Sequence, residues 1–207
     1  MKVTVLCTAQ QQEELLLKPT NPGVELAFCT NGSPAFQAME GDVLFDLKNE
    51  APIPSNRETL VFVNAVSTTL KELPGNCIRM NGWNGFLKRE ILELVATEQQ
   101  QQHVEETMNK LGWGFRFVPD QPGMVAPRII AMIVNEAYFG LEDGISTKGE
   151  IDTAMKLGTN YPHGPFEWAE KIGKQEILHL LQTLEKQDSR YRPSQLLVDE
   201  ATHSTIL

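Results

Sequence analysis

Asp120-Gln121-Pro122-Gly123-Met124-Val125-Ala126-Pro127-Arg128 divides the chain into two textures. Pro122-Gly123 joins a fixed φ to a freely rotating one, a pair that reverses a chain sharply. Beyond it, Ile129, Ile130, Ile133, Val134, Ala137 and Leu141 recur at helical spacing, which predicts a helix over residues 125–141 that Gly144 stops. Thr147 or Lys148 opens a second helix, striped by Ile151, Ala154, Met155 and Leu157 and ending at Gly158. Gly164-Pro165 starts a third helical region, 166–172 and then 174–184 after Gly173. Tyr191-Arg192-Pro193-Ser194 breaks the pattern and leaves a polar tail, with no convincing strand anywhere in this half.

Upstream the pattern is different. Runs 3–7, 24–29, 43–47 and 60–63 are short, apolar and mostly rich in Val, Leu or Phe, as buried parallel strands are. Pro22-Gly23, Asn31-Gly32-Ser33-Pro34 and Pro52-Ile53-Pro54 punctuate them. Residues 78–80 and 91–95 predict two further strands around a loop at 81–86. A helix over 99–111 follows, with Val104, Met108 and Leu111 on one face, and a last strand at 114–118. Strands alternating with short helical pieces predict an α/β layer. Segments 31–42 and 48–59 are too short for full crossover helices, so the sheet is expected to be abbreviated.

Composition narrows the classes. The 207 residues carry 41% hydrophobic content and a net charge of −9, which gives a polyanion nothing to bind, so nucleic acid is excluded. The apolar stretch 129–134 is far too short to cross a bilayer, and no membrane partner is expected. Met1-Lys2-Val3-Thr4-Val5-Leu6-Cys7 turns polar at once in Gln10-Gln11-Gln12-Glu13-Glu14, so no signal-peptide core forms. Cys7, Cys29 and Cys77 are odd in number and fit neither a zinc spacing nor a disulfide framework. They suit a reducing cytoplasm as buried apolar thiols.

Five motifs in order carry a resemblance. Asp120-Gln121-Pro122-Gly123-Met124-Val125-Ala126-Pro127-Arg128 is similar to the D-x-P-G-F-x-x-N-R that opens the helical domain of 3-hydroxyacyl-CoA dehydrogenases. Asn135-Glu136-Ala137 matches that family's N/M-E-A, and Ile151-Asp152-Thr153-Ala154-Met155-Lys156-Leu157-Gly158 its I-D-x-A-M-K-L-G. Tyr161-Pro162-His163-Gly164-Pro165-Phe166-Glu167 resembles Y/H-P-M-G-P-F-E, and Tyr191-Arg192-Pro193-Ser194 stands where the family has R-x-x-P-S. The resemblance implies an abbreviated, degenerate Rossmann-like α/β domain over about 1–118, followed by an all-α domain over 119–207. In the helical domain the motifs are better taken as fold-defining than as catalytic. The apolar faces there exceed what a small α/β layer covers, and the resemblance implies a homodimer built on them. The family usually continues to a K-x-G-x-G-F-Y segment, which does not occur by Leu207.

In the first half the resemblance is fainter and its departures matter more. Leu60 to Thr68 sits where the family has a strand and then S-N-T-S-S, and Ile78 to Val95 where it has F-x-G-x-H-F-F-N-P and a strand ending V-E-V. Anchored on Glu93, the family's catalytic histidine falls on Asn81, the asparagine of F-N-P on Asn84, and a substrate-contacting serine on Ser67. The family needs that histidine to take a hydroxyl proton while hydride leaves for nicotinamide, with a glutamate orienting it. An amide cannot carry a proton at neutral pH, so Asn81 is limited to hydrogen bonding, and Glu93 is expected to be a structural acceptor rather than a lone functional carboxylate. Pro127 replaces a substrate-holding asparagine. After the first strand, where the family's NAD site has G-x-G-x-x-G, the chain reads Thr8-Ala9-Gln10-Gln11-Gln12-Glu13, so no cofactor is expected.

His163 stands at a methionine position of its motif and is the conceivable replacement base, while His103, His179 and His203 read as surface residues. Two functions are carried forward. One is a non-catalytic or impaired relative that binds an acyl-CoA-like ligand or a protein partner, with any small-molecule site near Ser67, Asn81, Asn84 and Glu93 in an interdomain cleft. The other is a working oxidoreductase of fatty-acid β-oxidation whose missing residues come from another chain.

Overall fold

The computed structural model describes residues 1–30, 41–49 and 59–203. Its contacts divide into two compact units, Met1–Met124 and Val125–Leu207, so the segment 119–124 belongs with the first. The punctuating segments at 31–34 and 52–54 lie outside the described residues.

The first unit is a seven-stranded sheet, with all seven strands where the apolar runs predict them. The strands are β1 (Lys2–Leu6), β2 (Glu25–Cys29), β3 (Val43–Asp46), β4 (Val61–Asn64), β5 (Cys77–Met80), β6 (Ile91–Val95) and β7 (Gly114–Phe117), in spatial order β2-β1-β3-β4-β5-β6-β7. Every pairing is parallel except β5 with β6. The reason is chain length: a parallel crossover takes a dozen residues or more, and only residues 81–90 join β5 to β6. The central strands are apolar on both faces because both are buried. Phe45 and Phe62, register partners on β3 and β4, stack with centroids 4.6 Å apart, and Trp113 meets Phe45 edge-on.

Among the described residues, two α-helices accompany this sheet. One is α2 (Glu98–Leu111), which buries Val104, Met108 and Leu111 and stops at Gly112, left-handed at φ 78°. The other, α1 (Ala9–Leu16), falls on the glutamine run, which the sequence does not single out as helical. Its signal is a capping box: Thr8 accepts from the Gln11 backbone N–H while the Gln11 side chain accepts from Thr8 N.

The second unit is all-α: α3 (Ala126–Glu142), α4 (Lys148–Thr159), α5 (Pro165–Ile172), α6 (Lys174–Glu185) and α7 (Gln195–His203). Thr147 opens α4 through a capping box with Glu150. The last helix corrects the expected polar tail. Ser194 Oγ accepts from Leu197 N, and Leu197 and Ala201, one turn apart, are buried. The apolar surplus is smaller than the stripes suggest, because Ala137, Phe166, Trp168, Ile177, Leu180, Leu181 and Leu184 are all buried. Val125, Ile129, Ile145 and Leu157 remain exposed. Among the described residues, no helix is long and apolar enough to cross a membrane.

Candidate functional site

Reversal of the chain between β5 and β6 builds the first element of the site. Register pairs Arg79 with Val95 and Met80 with Leu94, and Asn81 N donates to Glu93 O at 3.2 Å. Asn81 and Glu93 are therefore the next cross-strand pair, with side chains on one face of the sheet. Both line a depression of about 10 Å³, shared with Phe86, Arg89, Ile91 and Leu92, which has room for about one water molecule. Asn81 is buried, its Oδ1 accepting from Trp83 N at 3.3 Å, and Glu93 is half-buried.

The other two expected residues come from neighbouring segments of the chain. Asn84 lies in the turn after β5, and its buried Oδ1 has no protein partner among the described residues. Ser67 lies beyond the end of β4 and is half-buried. Neither lines the Asn81–Glu93 depression.

Side chains that the sequence does not flag tie the rest of this edge together. Gln11, on α1, is buried and its carboxamide is fully used. Its oxygen accepts from Thr8 N, and its nitrogen donates to Leu47 O and Gly82 O at 3.0 Å each. Asn64, at the end of β4, donates to the same Leu47 O at 3.1 Å and accepts from Gly82 N at 3.0 Å. Glu14, one helical turn beyond Gln11, accepts from Gly85 N at 2.5 Å. Approach is tight enough that a Cβ on Gly82 would come within 2.8 Å of Asn64. T-x-x-Q at 8–11 is the only signal for any of this in the sequence.

Arg79 is the other unflagged residue. Its guanidinium is buried, pairs with Asp120, and donates to Ala65 O, Val66 O and Gln121 O at 2.9, 3.2 and 3.3 Å. Burial pushes its pKa below the ordinary value, and the hydrogen bond and charge of Asp120 oppose that shift. Asp120, the first residue of the D-x-P-G motif, also accepts from Leu70 N at 3.1 Å. Gly123, at φ 82°, donates to Val66 O at 2.7 Å.

In the helical unit the motif residues bind one another. Asn135 donates to Arg192 O at 2.9 Å and accepts from Ser194 N at 2.8 Å. Asp152 accepts from Phe166 N at 2.8 Å, and Glu167 accepts from Gly164 N at 3.0 Å while pairing with Lys156. Pro127 sits in the first turn of α3, where a missing N–H costs nothing. His163 packs edge-on against Trp168, centroids 4.8 Å apart, with Nδ1 3.9 Å from Glu167. His103, His179 and His203 are exposed. Among the described residues, no group of three or more His, Cys, Asp or Glu side chains is placed to hold a metal ion.

Comparison with known proteins agrees with this architecture. Residues 123–204 match the 3-hydroxyacyl-CoA dehydrogenase C-terminal domain. A 3-hydroxyadipyl-CoA dehydrogenase of Escherichia coli (strain K12) is 46% identical over 86 residues, covering 41% of this chain and 18% of that protein. A 3-hydroxybutyryl-CoA dehydrogenase of Bradyrhizobium diazoefficiens is 33% identical over 158 residues, 73% of this chain and 53% of that protein. The chain thus spans about half the length of the curated 3-hydroxybutyryl-CoA dehydrogenases it matches. Among solved structures, an (S)-3-hydroxybutyryl-CoA dehydrogenase from Ralstonia eutropha superposes with a TM-score of 0.69 at 18% identity. That match covers 98% of this chain and 94% of the other, and it speaks to the fold alone. The helical motifs, the parallel-dominated sheet and these relatives place the chain in the 3-hydroxyacyl-CoA dehydrogenase family.

Proposed function

We propose that this chain is a 3-hydroxyacyl-CoA dehydrogenase-like protein without effective hydride-transfer chemistry of its own, which binds an acyl-CoA-like ligand or a protein partner. The observation that carries the reading is Asn81 directly across the strand ladder from Glu93. Oxidation of a 3-hydroxyl group requires a base for the hydroxyl proton as hydride departs. The position facing Glu93 offers an amide, which donates and accepts hydrogen bonds but does not take up that proton. The Asn84 oxygen, which has no partner among the described residues, is an acceptor suited to a ligand hydroxyl or amide N–H.

A second reading has support in the relatives, several of which are named 3-hydroxybutyryl-CoA dehydrogenases: a working oxidoreductase of β-oxidation completed by another chain. One measurement separates the two. The purified chain is incubated with NAD and a short-chain 3-hydroxyacyl-CoA while NADH absorbance is followed, and acyl-CoA binding is titrated calorimetrically in parallel. Binding without NADH supports the first reading when a second chain that carries the family's glycine loop and histidine restores no turnover. Turnover that appears only on adding that chain favours the second. Clear turnover by the chain alone overturns the first.

The same reading includes a homodimer through the helical unit. It is supported by exposed Ile129 beside Met132 and Ile133, which with Arg128, Glu136, Arg190 and Tyr191 line a 480 Å³ groove on α3. Basic and acidic residues together on one face allow a two-fold copy to pair them reciprocally. Light scattering should give twice the chain mass, and Ile129→Glu should reduce it to one. A monomeric mass for the unmodified protein defeats this part. A reducing compartment such as the cytoplasm suits three unpaired thiols.

A further inference from the structure

We propose that Gln11, Glu14 and Asn64 close the carboxyl-end crevice of the sheet from within, so that the chain's own side chains fill the place a dinucleotide takes in a doubly wound fold. In such folds the ligand lies outside the carboxyl ends of the strands, where successive strands depart to opposite sides. Here that point is β1, with β2 on one side and β3 on the other. Gln11 reaches across it from the helix that follows β1 to Leu47 O, just past the end of β3, and onward to Gly82 O beyond β5. Asn64 repeats the link from β4, and Glu14 pins Gly85.

The chemistry of these contacts opposes a nucleotide. Leu47 O accepts from both Gln11 and Asn64, and Gly82 O from Gln11. A pyrophosphate brings acceptors only, so it cannot replace the two amides and would face carbonyl oxygens instead. The start of α1 is likewise engaged, because Thr8 Oγ1 takes Gln11 N and Gln11 Oε1 takes Thr8 N. A buried carboxamide with every group satisfied is lost only when each partner finds a substitute, which makes the seam a resident structure rather than a movable lid. NAD therefore does not fit the residues present. This inference stands apart from the acyl-CoA reading, since it concerns the opposite end of the reaction.

The test is amide hydrogen exchange on the full chain, with and without millimolar NAD. Gly82 N and Gly85 N lie in an irregular turn yet are each held by a side chain, half-buried Asn64 and buried Glu14 respectively. Each should exchange at least about tenfold more slowly than an exposed loop amide. Asn64→Ala should release Gly82 and leave Gly85 slow. Glu14→Gln, which keeps the oxygen, should change Gly85 little and guards against a variant that fails to fold. NAD should alter no rate in residues 8–14 or 82–85 and should show no calorimetric heat. Fast exchange at Gly82 in the unmodified protein, or protection of residues 8–11 by NAD, overturns the proposal. NAD binding without turnover would sink this inference while leaving the Asn81 reading intact.

Discussion

A Cβ added to Gly164 would lie 2.3 Å from Asp152 Oδ1 and 2.4 Å from its Cβ and Cγ. The φ of Gly164 is −72°, which any residue adopts, so the glycine is there for space alone. The space lets Asp152 hold Phe166 N at 2.8 Å and fixes α5 against α4. Gly164→Ala should cost roughly 1–3 kcal/mol, as overpacking typically does. In urea titration the midpoint should fall with the slope unchanged; an unmoved midpoint would show the contact to be slack.

Arg79 offers the largest single loss. Arg79→Ala removes a buried cation and strands Asp120 together with three carbonyl groups. Breaking one side of a buried pair costs about 3–5 kcal/mol. Asp120→Asn still accepts from Leu70 N but leaves the guanidinium uncompensated, and should fall between that variant and the parent. Thermal unfolding ranks the three, and Asp120→Asn at parental stability would refute the pairing.

Acid should weaken the helical unit through Glu200. Burial raises its pKa, but hydrogen bonds from Lys148, Tyr138 and Lys174 outweigh that and hold it below 4.5. A depressed folded pKa gives stability that is present above the unfolded value and is lost as pH falls through the folded one. The loss therefore begins below about pH 4.5. Glu200→Gln should lower stability at neutral pH by roughly 1–3 kcal/mol and flatten the decline in acid. Parallel pH profiles for the two proteins would show that Glu200 is uncoupled from folding.

Thiol reactivity should be ordered. Burial first, then the neighbouring Cys29, pushes Cys7 up to about 11; burial and then Asp46 do the same for Cys77. Only thiolates attack maleimides or disulfides at useful rates. Half-buried Cys29 should label first in the native protein, with Cys7 and Cys77 following only on unfolding. Peptide mass mapping after timed labelling reads this order directly.

Replacing Asn81 by His should not by itself create a dehydrogenase. Loss of a general base typically costs about 10²- to 10⁴-fold, and regaining it is useless where nicotinamide is not held. Asn81→His should acquire an imidazole titration sensitive to Glu93→Gln, visible by proton NMR, while NADH formation stays absent. An imidazole indifferent to Glu93→Gln would mean that the two side chains do not interact.

The strands and most helices were legible because their signals are local. Period-two and period-3.6 burial, the turn residues, and caps such as Thr147/Glu150 all lie within a few residues of what they control. Helix α7 was obscured because only Leu197 and Ala201 of its stripe are fully buried and Pro193-Ser194 reads as a stop rather than a start. The glutamine run hid α1 because its buried face is partly polar: Gln11 and Glu14 are buried through bonds to Leu47, Gly82 and Gly85, whose nearness no periodicity reveals. Arg79 escaped for the same reason. A lone arginine in an apolar strand shows neither its four partners nor its burial. The Asn81–Glu93 opposition was reached through motif spacing, and the ladder supplies its physical cause.

That ladder has an evolutionary consequence. The backbone bond from Asn81 to Glu93 belongs to the antiparallel turn-back of β5 into β6 and involves neither side chain. Selection on sheet stability alone therefore keeps these two positions face to face, whatever residues occupy them. A lineage can lose an acid–base pair here by a single codon change and still inherit the scaffold that aimed it, generation after generation, as a by-product of folding.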